Sequence, residues 1–267
     1  CMKTKTQNGM SALAALLVTA TSYAGPATPP VVAAGSGGDS ALTGSVGLNV
    51  VSGYVFRGQV LDRNLAYQPT LSLSTPIDLS FLQVDSAALQ LQTTQSLNQN
   101  APLAGWFRSE VDLGVKLTKG VFVVTPSYQV FNSPTGKFDS AQGVSVKVGL
   151  KECCAYGLNP YGRVFFGTQG NANNGTSPGT SYEFGVAPSF KVGSTTVTVP
   201  AAVGFGSGNY YANDQTYGYT TVGVRSSTPI AKNLNLTAGI DYWNTSRALG
   251  NGQQNFVTTS VGLNLSF

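Results

Sequence analysis

The sequence predicts an all-β protein, an antiparallel up-and-down transmembrane β-barrel of twelve strands. Charged residues take only 10% of the 267 positions, well under half of the roughly 25% usual in a soluble domain. After residue 24, no stretch holds 18 uninterrupted apolar residues, which argues against a membrane-spanning helix. From Leu42 onward, apolar residues recur instead with a period of two, as they do in half-buried strands.

Residues 1–24 have the layout of a secretory signal peptide. Lys3 and Lys5 give a basic start, residues 10–21 form an apolar core, and Ser22-Tyr23-Ala24 supplies the small residues of a cleavage site. The apolar core is too short to anchor the chain as a membrane helix. We therefore expect the protein to be exported.

Two further segments complete the predicted organisation. Residues 25–41 are rich in Pro, Gly, Ala and Ser, as in a flexible leader, and residues 42–267 form the barrel. The three cysteines are too few for a disulfide scaffold. Cys153 and Cys154 fit a turn with two thiols or one vicinal disulfide, and Cys1 stands unexplained before Met2. We expect no cofactor and no metal site.

Twelve segments alternate apolar and polar residues, and each has about the 9–11 residues of a tilted membrane-spanning strand. Merging the weaker segments with their neighbours would give ten strands, and fourteen also remain possible. The predicted strands are residues 45–57, 65–75, 86–95, 106–118, 121–131, 143–151, 160–168, 181–191, 195–206, 216–227, 233–244 and 255–267.

The connections between these segments alternate in length. Most on one side are long and polar, whereas those on the other include tight turns such as Thr118-Lys119-Gly120 and Val192-Gly193-Ser194. Long extracellular loops and short periplasmic turns are typical of outer-membrane barrels. This pattern places both termini in the periplasm.

Charges within the strands fall on the polar face and none needs to face lipid. A lipid-facing charge near the bilayer midplane costs about 2–4 kcal/mol, so this segregation favours a membrane barrel. A soluble β-sandwich would carry its charges on the outer face. The predicted pore-lining residues are Arg57, Arg108, Glu110, Asp112, Lys116, Lys147, Lys151, Arg163, Glu183, Lys191, Arg225 and Asp241.

Aromatic residues on the opposite, outward phase are predicted to form two interfacial girdles, a feature of transmembrane barrels. One girdle lies near the loop ends and the other near the turn ends. The loop-end set is Tyr54, Phe56, Tyr67, Phe107, Tyr128, Phe166, Tyr182, Phe184, Phe205 and Tyr242, and the turn-end set is Phe122, Phe190 and Phe267.

Two motifs resemble known families. Tyr54-Val55-Phe56-Arg57-Gly58 on the first predicted strand resembles the TorF-type putative porins, which are Gram-negative outer-membrane barrels, over about residues 46–75. The chain ends in alternating apolar residues and a terminal Phe, similar to the signal read by barrel-assembly machinery. That signal comprises Val261, Leu263, Leu265 and Phe267. The resemblances imply an outer-membrane porin whose partners are the assembly machinery and outer-membrane lipid.

The predicted function is passive diffusion of small hydrophilic solutes. Eight basic and four acidic pore-lining residues give the lumen a charge of +4, which predicts a mild anion preference because luminal charges tune selectivity. Arg57 is either a charge at the pore mouth or an arginine paired with a neighbouring strand. The run Arg108, Glu110, Asp112 and Lys116 is either pore lining or a structural ladder of ion pairs.

Other functions are less favoured by the composition. With no histidine, the general base on which many hydrolases depend is missing, so we expect no enzyme. No basic patch suggests nucleic-acid binding, and nothing marks an oligomer interface. The alternative is a non-conducting structural or adhesive barrel acting through its loops, with Tyr210, Tyr211, Trp243 and loop 169–180 as candidate contacts.

Overall fold

The computed structural model describes residues 42–98, 105–136, 138–151, 157–171, 178–207, 209–211 and 215–267. The predicted signal peptide, the leader, Cys153 and Cys154 lie outside these residues. Over the described part of the chain, no helix is both long and apolar enough to cross a membrane.

The described residues form an all-β structure built on a closed antiparallel barrel of twelve strands, as predicted. The strand segments are β1 (Thr43–Val51), β2 (Tyr54–Phe56), β3 (Gln59–Asp62), β4 (Ala66–Pro76), β5 (Ser86–Asn98), β6 (Gly105–Lys119), β7 (Phe122–Asn132), β8 (Ala141–Leu150), β9 (Tyr161–Gln169), β10 (Thr180–Val186), β11 (Ser189–Val192), β12 (Thr195–Thr198), β13 (Ala201–Ser207), β14 (Tyr217–Ala231), β15 (Leu234–Thr245) and β16 (Asn255–Ser266). A 3₁₀ turn, Ser80–Leu82, lies between β4 and β5.

Sixteen segments give twelve barrel strands for two reasons. β2 and β3 pair only with each other, and β10–β11 and β12–β13 are each one strand interrupted by a proline, Pro188 or Pro200. Proline has no N–H to donate to a ladder, but the carbonyls of Pro188 and Pro200 still accept from Val199 and Gly223. The barrel closes because β1 pairs with both β4 and β16.

The two ends of the barrel differ. Two-residue turns join β6 to β7, β11 to β12 and β14 to β15 at one end, which also carries Thr43 and Ser266. The β4–β5 and β8–β9 connections at this end are longer, and the connections at the other end all have six residues or more. We call these the short-turn end and the long-loop end.

The predicted register is observed in most strands. In β16, Val257, Val261, Leu263 and Leu265 are exposed on the outer face, whereas Thr258 and Asn264 are buried on the inner face. In β8, Val144 and Val148 are likewise exposed while Ser145 is buried. The barrel therefore presents an apolar outer surface and a polar interior.

One strand changes phase at a bulge that the sequence analysis missed. Leu97 pairs with Trp106 and Ser96 with Arg108, so Phe107 is an extra residue on β6. As a result, Trp106 is 46% exposed, while Phe107 is 4% exposed and packs beside Tyr54. The predicted outward orientation of Phe107 is therefore wrong.

The first predicted strand, 45–57, also extends too far at its C-terminal end. The barrel strand stops at Val51, and Tyr54–Asp62 turns inward as the β2–β3 hairpin, which we call the luminal hairpin. Tyr54, Val55, Phe56 and Arg57 are consecutive buried residues. Tyr54 and Phe56 therefore belong to the interior and not to the outer aromatic girdle.

Candidate functional site

The luminal hairpin turns sharply at Arg57-Gly58. Phe56 pairs with Gln59, and the two central residues have positive φ, 47° for Arg57 and 82° for Gly58. Positive φ at both positions defines a type I′ turn, for which Asn-Gly is the preferred sequence. An arginine in this left-handed region costs about 1–3 kcal/mol, and such strain persists only where surrounding contacts compensate for it.

Position 58 requires a glycine for two reasons: its φ is positive, and Tyr219 leaves no room for a side chain. A Cβ at residue 58 would lie 2.7 Å from the Cβ of Tyr219, well inside contact distance. We expect Gly58→Ala to displace the hairpin tip and to destabilise the protein by about 1–3 kcal/mol through overpacking, in addition to the backbone strain of positive φ.

This prediction can be tested by Trp243 fluorescence in a Trp106→Phe background, because Trp243 packs against Tyr219 with 5.6 Å between ring centroids. The emission should shift to the red in Gly58→Ala. Gly120→Ala is the matched control, since Gly120 also has positive φ but nothing lies within 4 Å of its added Cβ. Equal effects of the two changes on stability and emission would contradict the prediction.

The hairpin packs against aromatic residues on both faces. Phe56 lies in a buried cluster completed by Phe131, Ala141, Phe165, Tyr210, Tyr211 and Leu249. Val55 lies in a second cluster with Tyr219 and Trp243. Together these side chains fill the long-loop half of the lumen around the hairpin.

This arrangement changes the interpretation of three aromatic residues. Tyr210, Tyr211 and Trp243, predicted as loop contacts for an adhesive barrel, are each only 1% exposed. They pack around the luminal hairpin and present no surface to a partner in this structure.

Arg57 binds several parts of the barrel wall at once. Its guanidinium donates to Gln129 Oε1 of β7 at 2.8 Å, to Ser181 Oγ of β10 at 3.4 Å and to the hydroxyl of Tyr210. It also lies 4.1 Å from the centre of the Phe165 ring of β9, within the range of a cation–π interaction. Arg57 is therefore neither on a strand nor at the pore mouth, but contacts several strands from the hairpin tip.

A second set of contacts holds the side of the hairpin. The Tyr54 hydroxyl donates to Glu110 Oε1 at 2.6 Å, and Glu110 forms an ion pair with Arg108 at 2.9 Å. The Arg108 guanidinium lies 3.6 Å from the centre of the Phe56 ring. Of the predicted ladder on β6, the Arg108–Glu110 pair is formed, whereas Asp112 accepts a hydrogen bond from Gln129.

The acidic luminal residues are close to arginines or polar donors. Arg163 and Glu183 form a buried ion pair at 3.3 Å, and Tyr219 donates to the same carboxylate. Arg225 and Asp241 pair at 3.1 Å across β14 and β15.

Four lysines complete the predicted pore-lining set. Lys147 lies 4.3 Å from the centre of the Tyr161 ring, Lys116 is partly buried on β6, Lys151 follows the end of β8, and Lys191 is exposed near the short-turn end. Lys116, Lys151 and Lys191 thus lie nearer the short-turn end, whereas Lys147 pairs in register with Arg163 of the neighbouring strand.

A small cavity lies beside the hairpin contacts. It is lined by Gln92, Thr94, Glu110, Asp112 and Gln129, with Phe131 beside them. Because Glu110 and Gln129 also bind Tyr54 and Arg57, this polar space adjoins the groups that hold the hairpin.

A closed twelve-stranded barrel with an apolar outer surface and charges inside belongs to the class of outer-membrane β-barrels. No model of a known protein family matches the chain, and no curated protein sequence matches it. Solved structures with a similar fold do exist, at low sequence identity.

Two channels illustrate the likeness. The COG4313 outer membrane channel from Pseudomonas putida F1 is 12% identical with a TM-score of 0.58, over 85% of this chain and 96% of the other. The NanC porin is 16% identical with a TM-score of 0.52, over 85% of this chain and 99% of the other. At such identities the comparisons establish the fold alone.

Proposed function

We propose that the protein is an outer-membrane channel for passive diffusion of small hydrophilic solutes with a mild anion preference. The observation that carries the proposal is the segregation of charge: strand-borne charges lie on the inner phase while the outer face is apolar. A polar interior is typical of transmembrane barrels, among them the water-filled barrels that conduct.

The location follows from the same proposal. The signal peptide directs export, the terminal motif ending in Phe267 directs assembly, and the short-turn end with both termini faces the periplasm. Membership of the TorF-type porins remains part of this proposal, resting on the Tyr54–Gly58 motif. The absence of histidine continues to favour a channel over an enzyme.

The anion preference rests on which luminal charges are compensated. Glu110, Glu183 and Asp241 each form an ion pair with an arginine, and Asp112 accepts a hydrogen bond from Gln129. Five further basic residues, Arg57, Lys116, Lys147, Lys151 and Lys191, leave the twelve predicted pore-lining charges at +4 in total. Positive charge in a narrow pore lowers the barrier for anions and raises it for cations.

This proposal predicts the sign of a reversal potential. Purified protein in planar bilayers under a KCl gradient should give a reversal potential with the sign of the chloride equilibrium potential. Lys116→Gln should reduce it, while Lys232→Gln in an exposed turn should leave it unchanged. Clear cation preference, or no conductance even after the luminal hairpin is removed, would overturn the proposed function.

A second candidate is a non-conducting barrel, favoured by the burial of the hairpin and of the aromatic clusters around it. The two candidates differ in what hairpin removal should do. Replacing residues 53–63 with a short Gly-Ser linker should give conductance in a channel and none in a structural barrel. Heat-dependent migration on gels would show that the shortened protein still folds.

A further inference from the structure

We infer that the luminal hairpin is a displaceable gate, hinged at its base and held shut at its tip by Arg57. The inference rests on the proposed channel function. It starts from the path of the hairpin, whose base binds β16 and whose Arg57 side chain reaches the opposite wall of the barrel.

The base is fixed to the wall where the barrel closes. Ser52 donates its N–H to the Thr259 carbonyl of β16, and its Oγ accepts from the Thr259 N–H, both at 2.9 Å. Arg63 donates to the Gly250 carbonyl at 2.6 Å, and Val60 donates its N–H to the Leu249 carbonyl at 2.9 Å. Ser52 and Arg63 thus join the base to β16 and to the loop before it, and Val60 joins the middle of β3 to the same loop.

The tip reaches the other side. Around the barrel, β1 and β16 are adjacent, and β7, β9 and β10 lie about half a circumference away from them. Arg57 contacts Gln129, Phe165 and Ser181 on those three strands. The Arg57 side chain therefore extends across the lumen from the hairpin tip, which lies against Tyr219 of β14, to the far wall.

The two attachments differ in kind. Among the described residues, backbone hydrogen bonds join the hairpin region to the rest of the barrel at Ser52, next to the base, and at Val60, in the middle of β3. The tip itself is held by the side-chain contacts of Arg57, while the hydrogen bond from Tyr54 to Glu110 lies nearer the base. Displacing the tip breaks these side-chain contacts and the backbone hydrogen bond from Val60 to the loop residue Leu249, while the barrel ladders stay intact, so the base at Ser52 can act as a hinge.

The turn sequence supports a specific role for Arg57. The first position of this turn has a φ of 47°, and asparagine would adopt it with less strain than arginine. Arginine at that position, with its guanidinium 1% exposed among aromatic rings and hydrogen-bond acceptors, indicates that the tip is built to bind the opposite wall.

The first test weakens the tip contacts. Arg57→Ala should increase the open fraction about tenfold or more, because tenfold corresponds to about 1.4 kcal/mol and a buried hydrogen bond to a charged group contributes at least that much. Arg247→Ala, in an exposed loop, is the matched control. The readouts are single-channel open probability and the rate at which an impermeant maleimide labels Val55→Cys, a buried position.

The second test locks the tip. The Cβ of residue 58 would lie 2.7 Å from the Cβ of Tyr219, so a small relaxation brings Gly58→Cys and Tyr219→Cys to the Cβ separation of a disulfide, about 3.5–4.5 Å. With the native cysteines changed to serine, the oxidised double variant should conduct about tenfold less than the same protein after reduction. Tyr219→Cys alone should not respond to reduction.

The outcomes separate the gate from the channel. Equal conductance of the oxidised and reduced double variant, with equal labelling of Val55→Cys in the Arg57→Ala and Arg247→Ala backgrounds, would overturn the gate. Faster labelling with Arg57→Ala but no conductance in any variant would support a displaceable hairpin and overturn the channel. Heat-dependent gel migration of each variant verifies that the barrel is folded.

Discussion

Replacing Arg163 with methionine is expected to destabilise the barrel by about 3–5 kcal/mol, the usual cost of leaving one partner of a buried ion pair alone. Arg163 and Glu183 have side chains only 4% exposed. Without the guanidinium, the Glu183 carboxylate retains the hydroxyl of Tyr219 as a donor, but no longer has the positive charge 3.3 Å away. Urea unfolding in phospholipid vesicles would measure the loss.

The double change Arg163→Met with Glu183→Gln should recover most of this stability, because replacing both partners removes the uncompensated charge. Arg247→Met provides a control on an exposed arginine and should change stability by no more than about 0.5 kcal/mol. If the single and double variants at 163 and 183 lost equal stability, the ion pair would not be the source of the effect.

Leu113→Arg is expected to cost about 2–4 kcal/mol, because it places a charge on the lipid-facing side of β6 near the middle of the strand. Leu113 is 47% exposed on the outer face and pairs with Leu91 of β5. Its neighbours on the outer phase are apolar, so no acidic group there can compensate for the charge. Urea unfolding in vesicles would again give the change in free energy.

Gln92→Arg is the matched control. Gln92 follows Leu91, the β5 partner of Leu113, and lies on the inner face. Gln92 pairs with Asp112 and lines the cavity that also contains Glu110. An arginine there gains acidic neighbours and water, so it should be tolerated far better than the same residue at 113. Comparable losses at the two positions would contradict the assignment of outer and inner faces.

The barrel itself was predictable because lipid imposes a strict rule on every strand. A residue facing hydrocarbon must be apolar, so the period-two pattern in segments such as β8 and β16 shows which residues face lipid and which face the interior. The charges on β6 and β8 then identify the inner phase. Long strands with turns between them also predict the number of strands, and the structure has the expected twelve.

The luminal hairpin was not predictable from that rule, since residues inside the barrel do not have to alternate. Tyr54, Val55 and Phe56 form a continuous apolar run followed by Arg57-Gly58, and such a run indicates burial on both faces. Gly53 and Gly58 are the signals that could have ended the strand at Val51. The bulge at Phe107 cannot be predicted from the alternation either, because it depends on which residue of β5 pairs with each residue of β6.

The position of the hairpin base has a consequence for the order of folding. Ser52 binds Thr259, 207 residues later in the chain, whereas the tip binds strands formed much earlier in sequence. Contacts between distant segments carry a large loop-closure entropy and form late. The hairpin base can therefore be fixed only when the last strand joins the first, so the hairpin gains its hinge in the same step that closes the barrel.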